Sequence, residues 1–180
     1  PIALPPAVAA SPRQELTSPG GLSLTLETST SVSRLADFLA RDQQHAPVID
    51  FTGLDGQAVG FEVELAREAV YNTTVGFYRV IDNQGSVRDP LSGAVISPGD
   101  PAYAKAALAA TNRPALRTFA VANSSTGTFK DLNVQESALL APYGQFANGT
   151  TLFAFADANP DHCSHFKSLG QLVFGFEDQL

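Results

Sequence analysis

The feature that most constrains the fold is a turn between two apolar runs in the last third of the sequence. The dipeptide Asn148-Gly149 is a strong short-range signal for a two-residue hairpin turn with positive φ angles. Residues 152–156 follow it as a half-buried strand, and residues 171–176 alternate again between apolar and other side chains. This region is therefore predicted to form a hairpin followed by a further strand.

Strand patterns also dominate the rest of the sequence. Residues 22–27 place leucine at every second position, which predicts a strand with a leucine face directed inward. Residues 48–65 are predicted to form a hairpin whose turn contains Asp55-Gly56. Residues 116–122 and 129–134 are two further predicted strands.

Helices are predicted to be few and short. Asp100 is expected to cap a helix that begins at Pro101 and extends to about Thr111, because the segment is rich in alanine. Ser31 is expected to cap a second helix over residues 32–39, where apolar residues recur at helical spacing. With the strands, this predicts a mainly β fold, a β-sandwich or jelly-roll with one or two short peripheral helices.

The length of 180 residues is consistent with a single domain that buries a sizeable core. Residues 1–21, rich in Pro, Ala and Ser, are predicted to be an extended N-terminal arm or leader, and residues 22–180 the β-sandwich domain. The arm is either a flexible linker or a strand that pairs with the sheet of a neighbouring subunit. Its prolines remove ladder donors, which suits an edge position or a linker.

The formal net charge of −7 argues against a nucleic-acid partner or an anionic membrane surface, and it suits divalent cations. The single cysteine excludes an internal disulfide. The sequence begins at Pro1 and contains neither a signal peptide nor an apolar run of membrane-spanning length. We therefore expect a mature secreted protein.

The segment after the predicted hairpin is the strongest candidate site. Asp157, Asn159 and Asp161 place oxygen side chains at alternate positions, and calcium prefers several such ligands from a loop. An EF-hand is rejected, because His162 and Ser168 replace its glycine and its closing glutamate. The hypothesis is a calcium loop at the rim of the sandwich, completed by Glu177 or Asp178. The alternative is an ordinary polar turn.

Other chemistry finds less support in the sequence. His162, Cys163 and His165 suggest zinc or copper, but a structural zinc site usually needs four ligands and only His45 remains. Cys163 is therefore expected to pack as a small apolar residue, or to pair between chains. No Gly-x-Ser-x-Gly motif and no Gly-rich phosphate loop is present, so we expect no enzymatic activity.

Paired carboxylates are the remaining catalytic candidates. Glu62 and Glu64 are expected to lie on a solvated outer strand face, which is far commoner for alternating glutamates than acid–base chemistry. A hydrolase that uses Glu62 or Asp178 ranks last among the hypotheses, because the sequence shows no paired site.

Five short motifs occur in an order that is typical of one known family. They are Phe77-Tyr78-Arg79-Val80, Pro98-Gly99-Asp100 with Tyr103, Leu140-Ala141-Pro142-Tyr143, Ala158-Asn159-Pro160-Asp161 with His165, and Phe174-Gly175-Phe176-Glu177-Asp178. Over roughly residues 75–178 the chain resembles domain-of-unknown-function family 4114, found in bacterial and notably cyanobacterial secreted and surface proteins, including large adhesins. The resemblance implies a location at the cell surface and an acidic calcium site.

The leading hypothesis from these features is a secreted, non-enzymatic structural or adhesive module of the cell surface. Calcium is expected to stabilise its loop, and the arm is expected to pair with a sheet edge of the next copy, giving a filament. The alternative is a calcium-dependent module that binds surface glycans. Tyr71, Tyr103 and Tyr143 are its candidate aromatic platforms.

Overall fold

The structure, a computed structural model, describes residues 13–14, 22–28, 47–54, 56–67, 71–170 and 172–176. For residues 13–14, 22–28, 131–133 and 169–170 it describes the backbone alone. In chain order the elements are β1 (Arg13–Gln14), β2 (Leu22–Thr28), β3 (Ile49–Asp50), β4 (Ala58–Arg67), β5 (Thr73–Val80), β6 (Val87–Arg88), β7 (Val95–Ile96), α1 (Tyr103–Ala107), β8 (Ser125–Gln135), β9 (Leu139–Phe146), β10 (Thr151–Phe153), β11 (Phe166–Gly170) and β12 (Val173–Phe176). Single 3-10 turns lie at Thr52–Leu54, Ala110–Asn112 and Ala156–Ala158. The mainly β fold is confirmed.

The larger sheet contains six antiparallel strands in the order β11–β12–β2–β4–β8, with β1 also paired to β2. Phe61, Val63 and Leu65 of the long strand β4 are buried in the core, and they alternate with Glu62 and Glu64, which lie on the opposite face of the strand. This period of two is the pattern of a strand with one face on the core. The predicted strand at residues 22–27 is confirmed as β2.

The smaller sheet is built around β9. Strand β5 pairs with β9 along its whole length, from Thr73 opposite Phe146 to Val80 opposite Leu139. Strand β3 pairs with Leu139 and Leu140 of β9, and β10 pairs with residues 143–145. Because β5 pairs with these same β9 residues, β3 and β10 must both lie along the other side of β9. A separate two-stranded hairpin, β6–β7, lies between β5 and α1 in the chain.

Aromatic side chains from both sheets meet in one core. Phe51, which follows β3, lies with its ring centroid 5.2 Å from that of Phe61 in β4. The fully buried Phe119, which forms a backbone bridge with β5, contacts Phe129 of β8 at 5.4 Å. The two antiparallel sheets therefore pack face to face, as the β-sandwich prediction requires.

The hairpin predicted for residues 48–65 is wrong. β3 pairs with β9 in the smaller sheet, whereas β4 pairs with β2 and β8 in the larger one. Gly56 does reverse the chain, with φ of +69°. The predicted turn is therefore present, but a turn does not determine whether the two strands that flank it share a sheet.

Two other elements differ in extent from the prediction. The helix begins at Tyr103 and ends at Ala107, because Ala109 adopts an extended conformation and a 3-10 turn follows. Residues 116–122 form only a single bridge, between Phe119 and Val75. The helix predicted for residues 32–39 lies outside the described residues, as does most of the arm.

The hairpin at Asn148-Gly149 is confirmed between β9 and β10, but its turn type differs. Among these two residues only Gly149 has a positive φ, of +89°. The N–H of Gly149 donates to the carbonyl of Phe146 (3.0 Å), and that of Phe146 donates to the carbonyl of Thr150 (2.9 Å). The turn is thus a type I turn followed by a glycine bulge, the common three-residue alternative.

Candidate functional site

The loop between β10 and β11, residues 154–165, is organised around the side chain of Asn159. This side chain is buried, with 2% of the residue exposed. Its Oδ1 accepts from the N–H of Phe153 at 2.7 Å, and its Nδ2 lies 2.9 Å from the carbonyl of Phe153. The same Nδ2 also donates to the carbonyls of Phe155 (3.2 Å) and Cys163 (2.7 Å). One carboxamide therefore joins both ends of the loop.

Asp161 holds the second half of the loop. Its Oδ1 accepts from the N–H of Cys163 at 3.1 Å, and its Oδ2 accepts from Nε2 of the buried His165 at 3.0 Å. The hydrogen bond from the Cys163 N–H lowers the pKa of Asp161, and the nearby imidazole lowers this pKa further. His162, which lies between Asp161 and Cys163 in the loop, has a positive φ of +55°.

The three oxygen side chains of the predicted calcium loop have separate partners. Asn159 is directed into the protein, whereas Asp157 is exposed and lies 3.9 Å from Nδ1 of His162. In the part of the chain that the structure describes, no three His, Cys, Asp or Glu side chains are grouped to hold a metal ion. Glu177 and Asp178 lie outside the described residues. Calcium binding stays a prediction.

The structure also describes the loop residues that suggested a transition metal, which are His162, Cys163 and His165. Cys163 is an exposed free thiol, so the prediction that it packs as an apolar residue is wrong. The backbone of Cys163, not its sulfur, takes part in the loop's hydrogen bonds. His45 lies outside the described residues.

The environment of Glu62 differs from the prediction. It lies on the face of β4 opposite the core, as expected, but only 8% of the residue is exposed. Its carboxylate contacts Nζ of Lys130 on the neighbouring strand β8 at 2.6 Å. The expectation of a solvated face is wrong at Glu62, while Glu64 is half-buried. The Glu62–Lys130 ion pair joins the neighbouring strands β4 and β8. Asp178, the other hydrolase candidate, lies outside the described residues.

Two of the three candidate sugar platforms are core residues. Tyr103 and Tyr143 are buried, at 2% and 3% exposure. Tyr103 donates its hydroxyl hydrogen to the carbonyl of Gly85 (2.6 Å), so the hydroxyl of Tyr78 donates to Tyr103 (3.0 Å). Burial raises the pKa of all three of these tyrosines. Only Tyr71, at 57% exposure, can present a ring to a ligand.

One ion pair was not found by sequence reasoning. Arg79 contacts Glu136 through Nε, at 3.1 and 3.0 Å from the two carboxylate oxygens, and through Nη2 at 2.8 Å. Arg79 also donates to the carbonyl of Thr111 at 2.8 Å. Glu136 is buried, at 5% exposure, so this clamp fixes the β8–β9 connection to β5. Arg79 lies in one of the family-like motifs, but its partner is distant in sequence.

The outer strand β8 offers an edge for pairing. It is eleven residues long, and β4 is its only strand neighbour among the described residues. Ser125–Phe129, its first half, contains neither a charged residue nor a proline. Its second half contains Lys130 and a β-bulge opposite the Val59–Phe61 segment of β4, two features that hinder edge-to-edge pairing. The first half is therefore the more open part of the edge.

The arm meets the larger sheet at a different strand. Arg13 and Gln14 pair antiparallel with Glu27 and Leu26 of β2 in the same chain. These two residues are the part of the arm that the structure describes. They place this part of the arm in an extended conformation beside β2, with residues 1–12 preceding it.

Comparisons with known proteins leave the chain without an assigned family. No protein-family model matches it, and no curated protein or solved structure matches it either. The resemblance to family 4114 therefore stays a prediction. None of the described helices has the length and apolar character needed to cross a membrane.

Proposed function

We propose that this protein is a secreted, non-enzymatic structural module of the cell surface that assembles with further copies of itself by strand addition. The observation that supports this proposal best is the long strand β8, which has a strand neighbour on one side only among the described residues. Such an edge carries unpaired backbone groups and acts as a template for a strand from another chain.

The arm of a second copy is the proposed donor. Residues 1–12 would span about 40 Å when extended, against about 36 Å for the eleven residues of β8. Prolines are tolerated in such a strand where they face away from the ladder. Because the donor segment and the acceptor edge are different parts of the chain, each copy gives one arm and receives another. This head-to-tail arrangement produces a filament.

The experiment compares the full chain with a variant that lacks residues 1–12. Electron microscopy and sedimentation velocity should show filaments or large oligomers for the full chain and monomers for the variant. Thr126→Lys with Thr128→Lys places two charges on the exposed face of the edge strand and should also block assembly.

Two substitutions at exposed positions of one turn, Asn83→Lys with Gln84→Lys, add the same charge away from β8 and serve as the control. Circular dichroism should show that all variants remain folded. Unchanged assembly of either test variant would contradict strand addition, and so would a full chain that stays monomeric.

A further inference from the structure

A groove lies at one end of the smaller sheet, where β5 begins and β9 ends. It has a volume of about 550 Å³, within the range of small-molecule sites. Its polar residues are Arg67, Asn72, Thr73, Thr74 and Gln145. Arg67 is the last residue of β4, so the groove brings together residues from both sheets. We call it the Arg67 groove.

Arg67 holds the groove in shape. Its Nη1 donates to the carbonyl of Val121 at 2.9 Å and to Oδ1 of Asn72 at 3.3 Å. The first contact fixes the wall formed by residues 120–122, and the second orients the carboxamide of Asn72. With its oxygen directed to Arg67, Asn72 presents its NH₂ group as a donor.

Gln145 contributes the complementary group. Its Nε2 lies 3.4 Å from Oγ1 of Thr151, so its oxygen is the end that is left to accept a hydrogen bond. Both Asn72 and Gln145 are exposed and line the groove. The groove therefore presents neutral donors and acceptors, and among the residues that the structure describes no lining residue carries a carboxylate.

An aromatic pair stands at the same end of the sheet. Phe146 lines the groove, and the ring of Tyr71 packs edge-on against it, with centroids 5.9 Å apart at 82°. This contact holds Tyr71 in place while leaving 57% of the residue exposed. Ala120, Ala122 and Ala147 add small apolar surface to the walls.

The combination of features indicates the class of ligand. A nucleic acid is a poor fit, because the net charge is −7 and Arg67 is the single cation among the described lining residues. A purely apolar ligand would leave the amides of Asn72 and Gln145 without partners. A sugar offers hydroxyls that both donate and accept, and C–H faces that pack on aromatic rings. We propose that the Arg67 groove binds neutral oligosaccharides without calcium.

The test is an array of neutral oligosaccharides probed with the full chain in excess EDTA, followed by titration calorimetry with the best-binding oligosaccharide. We expect binding to at least one oligosaccharide class. Tyr71→Ala combined with Gln145→Ala should weaken the affinity per site by about tenfold or more. Leu91→Ala combined with Gln84→Ala removes an exposed apolar and an exposed amide side chain elsewhere, and should bind like the unaltered chain.

The outcomes distinguish sugar binding in the Arg67 groove from strand addition and from calcium-dependent glycan binding. No binding to any arrayed oligosaccharide overturns it, and so does equal affinity of the Tyr71/Gln145 variant. Binding that appears only when calcium replaces EDTA also overturns it. The variant that lacks residues 1–12 should retain the affinity per site, because the groove does not involve the arm. Loss of assembly and loss of sugar binding can therefore be observed independently.

Discussion

The ring of Phe176 lies over Gly144, so strands β12 and β9 of opposite sheets touch at this point. A Cβ at Gly144 would lie only 2.6 Å from Cζ of Phe176. Real Cβ atoms do not approach a ring so closely. The absence of a side chain at Gly144 is therefore what lets the two sheets approach here.

Gly144→Ala should destabilise the protein by about 1–3 kcal/mol, because the added methyl group forces the two sheets apart. Phe176→Leu in the same chain should recover part of this loss, since the smaller side chain makes room. Urea unfolding measures both. Gly175→Ala is the matched control, because a Cβ there meets no atom of the described residues within 4 Å. Equal effects at Gly144 and Gly175 would contradict this packing.

Asn159→Ala should lower the free energy of unfolding by about 2–4 kcal/mol. The substitution leaves the buried N–H of Phe153 and several loop carbonyls without partners, and each such loss costs about 1–3 kcal/mol with partial relief by water. Chemical denaturation measures the change. The exposed Asn83 in the turn after β5 provides the control, and Asn83→Ala should stay within about 0.5 kcal/mol. A similarly small effect at Asn159 would exclude its role as the centre of the loop.

The carboxylate of Asp161 should make stability depend on pH in the acidic range. The pKa of Asp161 is lowered in the folded protein, mainly by the N–H of Cys163. Its contribution is therefore complete above the unfolded-state pKa of about 3.9 and is lost as the pH falls through the folded-state pKa. In urea unfolding, Asp161→Asn should be less stable than the unaltered chain at pH 7, and the difference should shrink at acidic pH. A difference that does not change with pH would contradict this assignment.

Calcium should stabilise the protein if the loop binds it. With a dissociation constant of about 0.1 mM, as in extracellular modules, 1 mM calcium would add about 1.4 kcal/mol to the free energy of unfolding. Because Asn159 is directed inward, the exposed Asp157 and the acidic residues Glu177 and Asp178 are the ligands to vary. Asp157→Asn with Asp178→Asn should abolish the effect. Thermal unfolding that is identical with calcium and with EDTA would contradict calcium binding.

Local patterns in the sequence predicted strands better than they predicted strand partners. The alternation in β4 is a property of the strand itself, because one face of β4 lies on the core. Strand β3 instead joins β9, and Phe51, which follows β3, is buried against Phe61 of β4 in the other sheet. The pairing of β3 with β9, as at Ile49 opposite Leu140, joins distant parts of the chain, so the Asp55-Gly56 turn alone could not reveal it.

The candidate site shows the same limit. The pattern of Asp157, Asn159 and Asp161 correctly predicted a loop of polar residues after the hairpin. It did not predict that Asn159 would be directed inward, because its partners are the backbone groups of Phe153, Phe155 and Cys163, which every residue type offers. Similarly, the partner of Arg79 is separated from it by 57 positions.

Crosslinking between differently labelled copies tests the central claim of self-assembly most directly. One copy carries Val8→Cys in the arm and the other Thr128→Cys in β8, both with Cys163→Ala to remove the native thiol. After mixing and treatment with a short bismaleimide, the account predicts adducts that join the arm of one copy to β8 of the other. Absence of such adducts would contradict strand addition, and so would equal yields when the second cysteine is placed at Gln84 instead.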